Sequence, residues 1–409
     1  MSYTGPFPYT NTGTTSGISA TNTSFTGNIG NSGVINGGSV GIFTQTATIN
    51  GSISNAGVIN ASAFGIDVEN TTGIKSIVNA AGGVIEAATG IQIIAGGRPF
   101  SGTVSNAGVI LSNLGLPSSR AGIVLAGTGA SFTGAVRNGG LIFGQAKGIE
   151  VVSFARFGTA SAGGGVVNSG AIRPQGQTFA FGIQVIDNSS FAGGVTNSGV
   201  IARIGSAGNA VGIVVGGTTS FASGISNSGS ILNFSTGIDV NPITFTGGIK
   251  NSGLIAADKN GVLVENGTYF SGGIANSGTI GAELTAGVAV VQALTFAGGI
   301  SNAGTISGRT GILAKLERTF VGGIANKGLI SAAVAGIGAL DETIFSGGIA
   351  NSGTVAAGQF GLFAGADSFF SGGILNSGVV SVGSSGGQGV GVSGVSVFAG
   401  GITNSGALI

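Results

Sequence analysis

The sequence predicts an all-β chain folded as a parallel β-helix, a β-solenoid of about 15 coils of 24–32 residues each. Three observations carry that reading. First, one motif, Phe-x-Gly-Gly-Ile-x-Asn-Ser-Gly-x-Ile, recurs fifteen times; FSGGIANSGTI at residues 270–280 is a clear copy. Second, the motif asparagines follow one another at intervals of 24 to 32 residues: Asn31, Asn55, Asn79, Asn106, Asn138, Asn168, Asn197, Asn227, Asn251, Asn276, Asn302, Asn326, Asn351, Asn376 and Asn404. A fixed motif at such a period marks stacked coils. Third, counted from the Phe as position 0, the recurring residues fall at positions 0, 2, 4, 6, 8 and 10. Alternate residues of a strand face one side, so these six are expected to point inward.

Each strand of the coil has its own signature. Position 4 is Ile or Val in every copy, and β-branched residues favour strands. A second segment, such as GIDV at 65–68, GIEV at 148–151 and GIDV at 237–240, usually starts nine residues before the Phe. Three short strands per coil follow, right-handed by analogy with solenoids of this coil length. Stacked ~4.8 Å apart, fifteen coils predict a rod of roughly 70 Å. The Asn-Ser-Gly step reads as a sharp bend with left-handed backbone, because Asn tolerates and Gly prefers positive φ. An inward amide there can bond its neighbours above and below, which makes the asparagines a structural ladder. The Phe column reads as core, with gaps at Ile49, Gly73 and Ala162. The third copy, with two extra residues after Asn79, is expected to bulge. Residues 1–24 read as an irregular segment or cap, and 25–409 as one continuous solenoid with a loop-rich section at 98–211.

Composition excludes several classes. Gly is 85 of 409 residues, but without a three-residue period and with only 6 Pro the chain is not collagen-like. Hydrophobic content of 42% suffices for a core. Charged residues are 7% and the net charge is +1, so nucleic acid is not an expected partner. Cys and His are absent, which removes disulfides, thiolate metal sites and the commonest general base. No apolar run is long enough for a membrane-spanning helix. The start, MSYTGPFPYTNTGTT, lacks a signal peptide's features, and both ends read as cut from a longer protein.

Function in a solenoid is expected where coils depart from the repeat. Phe to Asn reads as a constant six residues, so the insertions fall elsewhere: at 111–120, 153–162, 173–180 and 202–210, with a smaller one at 381–388. Charge follows them. Residues 98–203 hold seven basic side chains against two acidic ones. Arg98, Arg120, Arg137, Arg156, Arg173 and Arg203 form the candidate ligand patch, fitted to an anionic glycan or a partner. Catalytic, metal and cofactor sites are not expected. Asp67, Glu150 and Asp239 share a slot but sit coils apart. Asp341 and Glu342 form the one adjacent acidic pair and read as a solvated turn; Asp258, Lys259, Glu265 and Glu283 converge on no recognisable geometry.

The GGIxNSGxI unit, its period and the Cys-free, Ser/Thr/Asn/Gly-rich surface resemble the passenger region of Gram-negative autotransporters and related secreted β-helix adhesins. That resemblance covers essentially the whole chain. It implies export and display at the bacterial cell surface, anchored in the outer membrane through flanking domains of a longer precursor. The expected function is a non-enzymatic adhesin or stalk that contacts a host or neighbouring cell, with folding that propagates coil by coil. The alternatives are a filament subunit that self-associates end to end through open strand edges, and a glycan-active enzyme. With no His, no Ser-His-Asp protease motif can be carried over.

Overall fold

The computed structural model describes residues 2–112, 120–159, 164–176, 179–205, 208–383 and 385–409. Among them there is no helix; short parallel strands stack as β-solenoid turns, about 15 in all. The chain divides into two compact units, Met1–Ala222 and Ser223–Ile409. Residues 9–21 already carry strands, and Tyr9–Asn11 pairs in register with Ile29–Asn31.

One coil of the second unit shows the plan. Tyr269–Phe270 forms a phenylalanine face and Ile274–Asn276 an asparagine face. Thr279–Ala282 and Ala286–Val291 form a long face. In neighbouring coils the two pieces of the long face fuse into one strand, as in Leu254–Glu265. Each position pairs with its own equivalent one coil on: Phe270 with Phe296, Ile274 with Ile300, Asn276 with Asn302, Ile280 with Ile306. The same plan holds in the first unit, where Ile77 pairs with Val104 and Asn79 with Asn106.

Within strands the predicted parity holds. Phe270, Ile274, Asn276 and Ile280 are all 3% exposed or less. Burying each apolar one is worth roughly 1.5–3 kcal/mol. At the corners the parity breaks: Gly272 is exposed and Gly278 half-buried. The expected left-handed bend is also misplaced, since neither Asn276 nor Gly278 has positive φ. Gly278 is required for a different reason: a Cβ there would lie 2.1 Å from the Gly253 carbonyl oxygen of the coil before. The left-handed backbone sits instead at the glycine pair ahead of the Ile, with φ of 91° at Gly272 and 66° at Gly273.

The glycine that opens the GI strand has a packing cause. A Cβ on Gly261 would lie 2.2 Å from Cγ2 of Ile280, the position-10 residue of the next coil. Gly65 meets Ile85 in the same way, and Gly311 meets Ile330. The two recurring residues, far apart in the motif, are a knob and its socket.

Two irregular coils depart from expectation. The extra residues after Asn79 widen one corner without shifting the strands, because Ile59 still pairs with Ile85. In the sixth coil the Phe column is filled by Phe157, which pairs with Phe132 and Phe191. The position-0 assignment to Ala162 falls outside the described residues. The extra residues therefore lie between Phe157 and Asn168, and the six-residue Phe-to-Asn spacing fails there.

Gly261→Ala is expected to cost roughly 1–3 kcal/mol by overpacking. The loss should be non-additive with that of Ile280→Ala, because the second change removes the Cγ2 clash and leaves only the 2.6 Å approach to Gly287 O. Urea titration of the single and double variants measures both, and an unchanged midpoint for Gly261→Ala would count against the socket.

Candidate functional site

The asparagine column is a regular array of buried amides. In the first unit it runs Asn11, Asn31, Asn55, Asn79, Asn106, Asn138, Asn168, Asn197, each Nδ2 donating to the next Oδ1 at 2.7–2.8 Å. In the second unit it runs from Asn227 through Asn251, Asn276, Asn302, Asn326, Asn351 and Asn376 to Asn404, over the same distances. Asn276 shows the full pattern. Its Nδ2 also donates to Gly278 O at 3.2 Å and to Thr305 O at 3.2 Å, so two N–H groups serve three acceptors. Its backbone carbonyl accepts from both Ala303 N and Gly304 N. The amide thus satisfies its own corner and the next coil's. Asn79 reaches Gly83 O across its widened corner, where the others reach the glycine two residues on. Asn11 was not among the motif asparagines, because the preceding segment FPYT has none of the motif's glycines.

Beside this column runs the phenylalanine stack. In the second unit Phe245, Phe270, Phe296, Phe320, Phe345, Phe370 and Phe398 follow one another with centroids 4.7–5.2 Å apart. Such offset stacking adds to the area buried. Asn31 to Asn376 and Phe245 to Phe370 are interior, so these stretches present no side surface to a ligand.

The six arginines do not gather on one face. Arg137 is exposed on the asparagine face, Arg156 on the phenylalanine face and Arg173 on the long face. Arg98 is exposed in the turn before Phe100. Arg203 is only 3% exposed, and its Nη2 donates to Gly176 O at 2.8 Å. It ties the insertion after Ala171–Pro174 to the one after Val200–Ala202. Arg120 is half-buried where the chain enters Ala121–Ala126.

Arg120 borders a lateral recess of the first unit, about 280 Å³, shared with Phe64, Thr89, Gln92 and Glu150. Its floor is the outward row of the GI strands. Asp67 pairs with Gln92, Gln92 with Val124, Val124 with Glu150, and Glu150 with Gln184. Gln92 Nε2 donates to Asp67 Oδ1 at 3.1 Å, and Lys147 Nζ lies 2.5 Å from Glu150 Oε1. Burial raises the Asp67 carboxyl to about 6, against the lowering effect of the Gln92 bond. Asp67 and Glu150 are three coils apart, about 14 Å, with Gln92 and Val124 between them. Asp239, their counterpart in the second unit, is raised to about 7 by burial and by the Glu265 charge.

The acidic pair at 341–342 divides. Asp341 is exposed, as a solvated turn requires, but Glu342 is 1% exposed and points inward. Glu317 and Asp367 occupy the same slot in the neighbouring coils and are equally buried. Among the described residues no cluster of three or more acidic groups has the geometry to hold a metal ion. A scan against protein-family models, a search of curated proteins and a search of solved structures each find no match.

The asparagine column gives a sharp test. In Asn276→Asp one carboxylate oxygen keeps the bond from Asn251 Nδ2, but the oxygen that replaces Nδ2 faces Asn302 Oδ1, Gly278 O and Thr305 O, three acceptors, in a buried slot. A loss on the order of 3–5 kcal/mol is expected at pH 7. The folded-state pKa of this Asp is raised, so the lost stability should return as pH falls toward 4. Urea midpoints at both pH values, against exposed Ser277→Asp as control, decide it.

Proposed function

We propose that this chain is a surface-displayed scaffold of the autotransporter-passenger kind, acting as a non-enzymatic adhesin or stalk. The observation that carries the reading is where variation is allowed. The asparagine and phenylalanine columns are held nearly invariant, while extra length falls mainly at one corner of the coil. In regular coils that corner is bridged by a continuous strand, such as Val58–Glu69. In the first unit it opens between Val109–Ser112 and Ala121–Ala126, between Ala171–Pro174 and Phe179–Ile186, and between Val200–Ala202 and Asn209–Gly216. A rigid interior with most of the extra length at one edge suits presentation of a contact surface. The recess at Phe64, Gln92, Arg120 and Glu150 supplies hydrogen-bonding groups beside an aromatic ring, which suits the hydroxyls and apolar face of a sugar.

The test is retention of the purified chain on beads bearing neutral, N-acetylated or uronate oligosaccharides, compared with bare beads. Retention on one class, reduced severalfold in Gln92→Ala and Arg120→Ala, is the expected result for an adhesin. Absence of retention on every class removes the glycan-adhesin role and leaves the stalk. Release of new reducing ends from the same glycans would overturn the non-enzymatic reading.

A further inference from the structure

One corner of the second unit repeats an unusual geometry. Leu316, Asp341 and Ala366 adopt left-handed φ of 66°, 62° and 58°. The residue after each turns into the interior: Glu317, Glu342 and Asp367, all 1% exposed or less. They are equivalents in three consecutive coils, each three residues ahead of a stacked ring, Phe320, Phe345 or Phe370. Main chain links them. Glu317 N–H donates to Glu342 Oε2 at 2.8 Å, and Glu342 N–H donates to Asp367 Oδ1 at 2.9 Å.

The remaining oxygens, both of Glu317, Oε1 of Glu342 and Oδ2 of Asp367, make no close hydrogen bond, and main-chain groups at Glu317, Lys315 and Ala293 only partly offset the effect of burial on Glu317. The same slot is Ala293 in the coil before and Val395 in the coil after, so neither neighbour supplies a donor side chain. The charged groups flanking the column are Lys315, Arg318 and Asp341. Arg318 and Asp341 are exposed, and Lys315 Nζ lies 3.9 Å from Asp341 Oδ2 on the outside. Three buried carboxyls at coil spacing, with no cation between them, cannot all carry charge. A proton on Glu342 supplies the donor that the Glu317 oxygens need.

We propose that the Glu317–Glu342–Asp367 column is a pH-sensitive clasp, in which protons held on stacked carboxyls keep these coils closed and their loss to solvent lets the coils part. The direction follows from the environment. Burial raises all three carboxyls, and the Glu317 hydrogen bond and charge raise Glu342 further. Asp367 is raised to about 6, chiefly by burial, with the Asp341 charge adding to it. In the unfolded chain such groups ionise near 4. Stability from the clasp is therefore complete below about pH 4 and falls as pH rises through the folded-state values, with Glu342 the last to ionise.

Amide hydrogen exchange on the full chain between pH 5 and 9 tests this, with Glu342→Gln as the variant. Gln matches a protonated Glu in shape, can accept from Glu317 N–H and can donate to the Glu317 carboxyl. Wild-type protection at the Glu317 and Glu342 amides should fall by about tenfold per pH unit for each proton lost, beyond the intrinsic rate. Protection at Ile249, whose amide bonds Gly273 O, should fall less, marking the opening as local. Glu342→Gln should flatten the profile by one proton's slope. Flat wild-type protection, or a variant with the wild-type slope, overturns the clasp. If Glu342→Gln fails to fold, Glu317→Gln replaces it, and the wild-type profile alone still decides.

Discussion

Parallel strands one hydrogen bond apart set the distance at which every coil meets the next, and the remaining features follow from that spacing. With a period that places each residue over its own equivalent, a side chain's principal neighbour is a copy of itself. The sequence must therefore be made of residues that tolerate their own kind at ~4.8 Å. Ile and Val do so by dispersion, Phe by offset stacking, and Asn because one amide carries both a donor and an acceptor. Gly does so wherever two backbones, or a backbone and a methyl, come closer than any side chain permits.

That rule separates what was legible in the sequence from what was not. Strand type, coil length and the inward Ile, Phe and Asn were readable because a column that packs on itself imposes the same residue again and again. The GI glycine was readable as a marker but not as a socket, since its partner Ile lies in the next coil. Phe157 was misplaced because counting back from Asn168 assumes a constant corner, and that corner is where the extra residues entered. Glu342 was misread for a related reason. The slot it occupies holds Asn188, Thr218, Ala293 and Glu317 in other coils. A position with no repeated identity looks like surface until the left-handed residue ahead of it shows that the chain turns inward.

The arginines illustrate the opposite limit. Their clustering along the sequence is real, but a coil distributes nearby residues over three faces, so linear density of charge says little about a patch. Arg203 shows how far this goes, since its guanidinium holds one insertion to the next. The recess near Arg120 draws on residues 64 to 150, four coils of the first unit, and no local motif contains them. Against this background the acidic column stands out: among the described residues it is a stack of three whose members repel their own copies when ionised.

The asparagine amides also share a sense. In each unit, from Asn11 to Asn168 and from Asn227 to Asn376, Nδ2 points toward the coil that follows, so the small dipoles add along the column as peptide dipoles do along a helix. Turning one amide over would set acceptor against acceptor on one side and donor against donor on the other. A reversed member would break two bonds and forfeit the contact with its own corner glycine. The column is thus vectorial, and a coil laid down in register meets a partner already oriented to receive it.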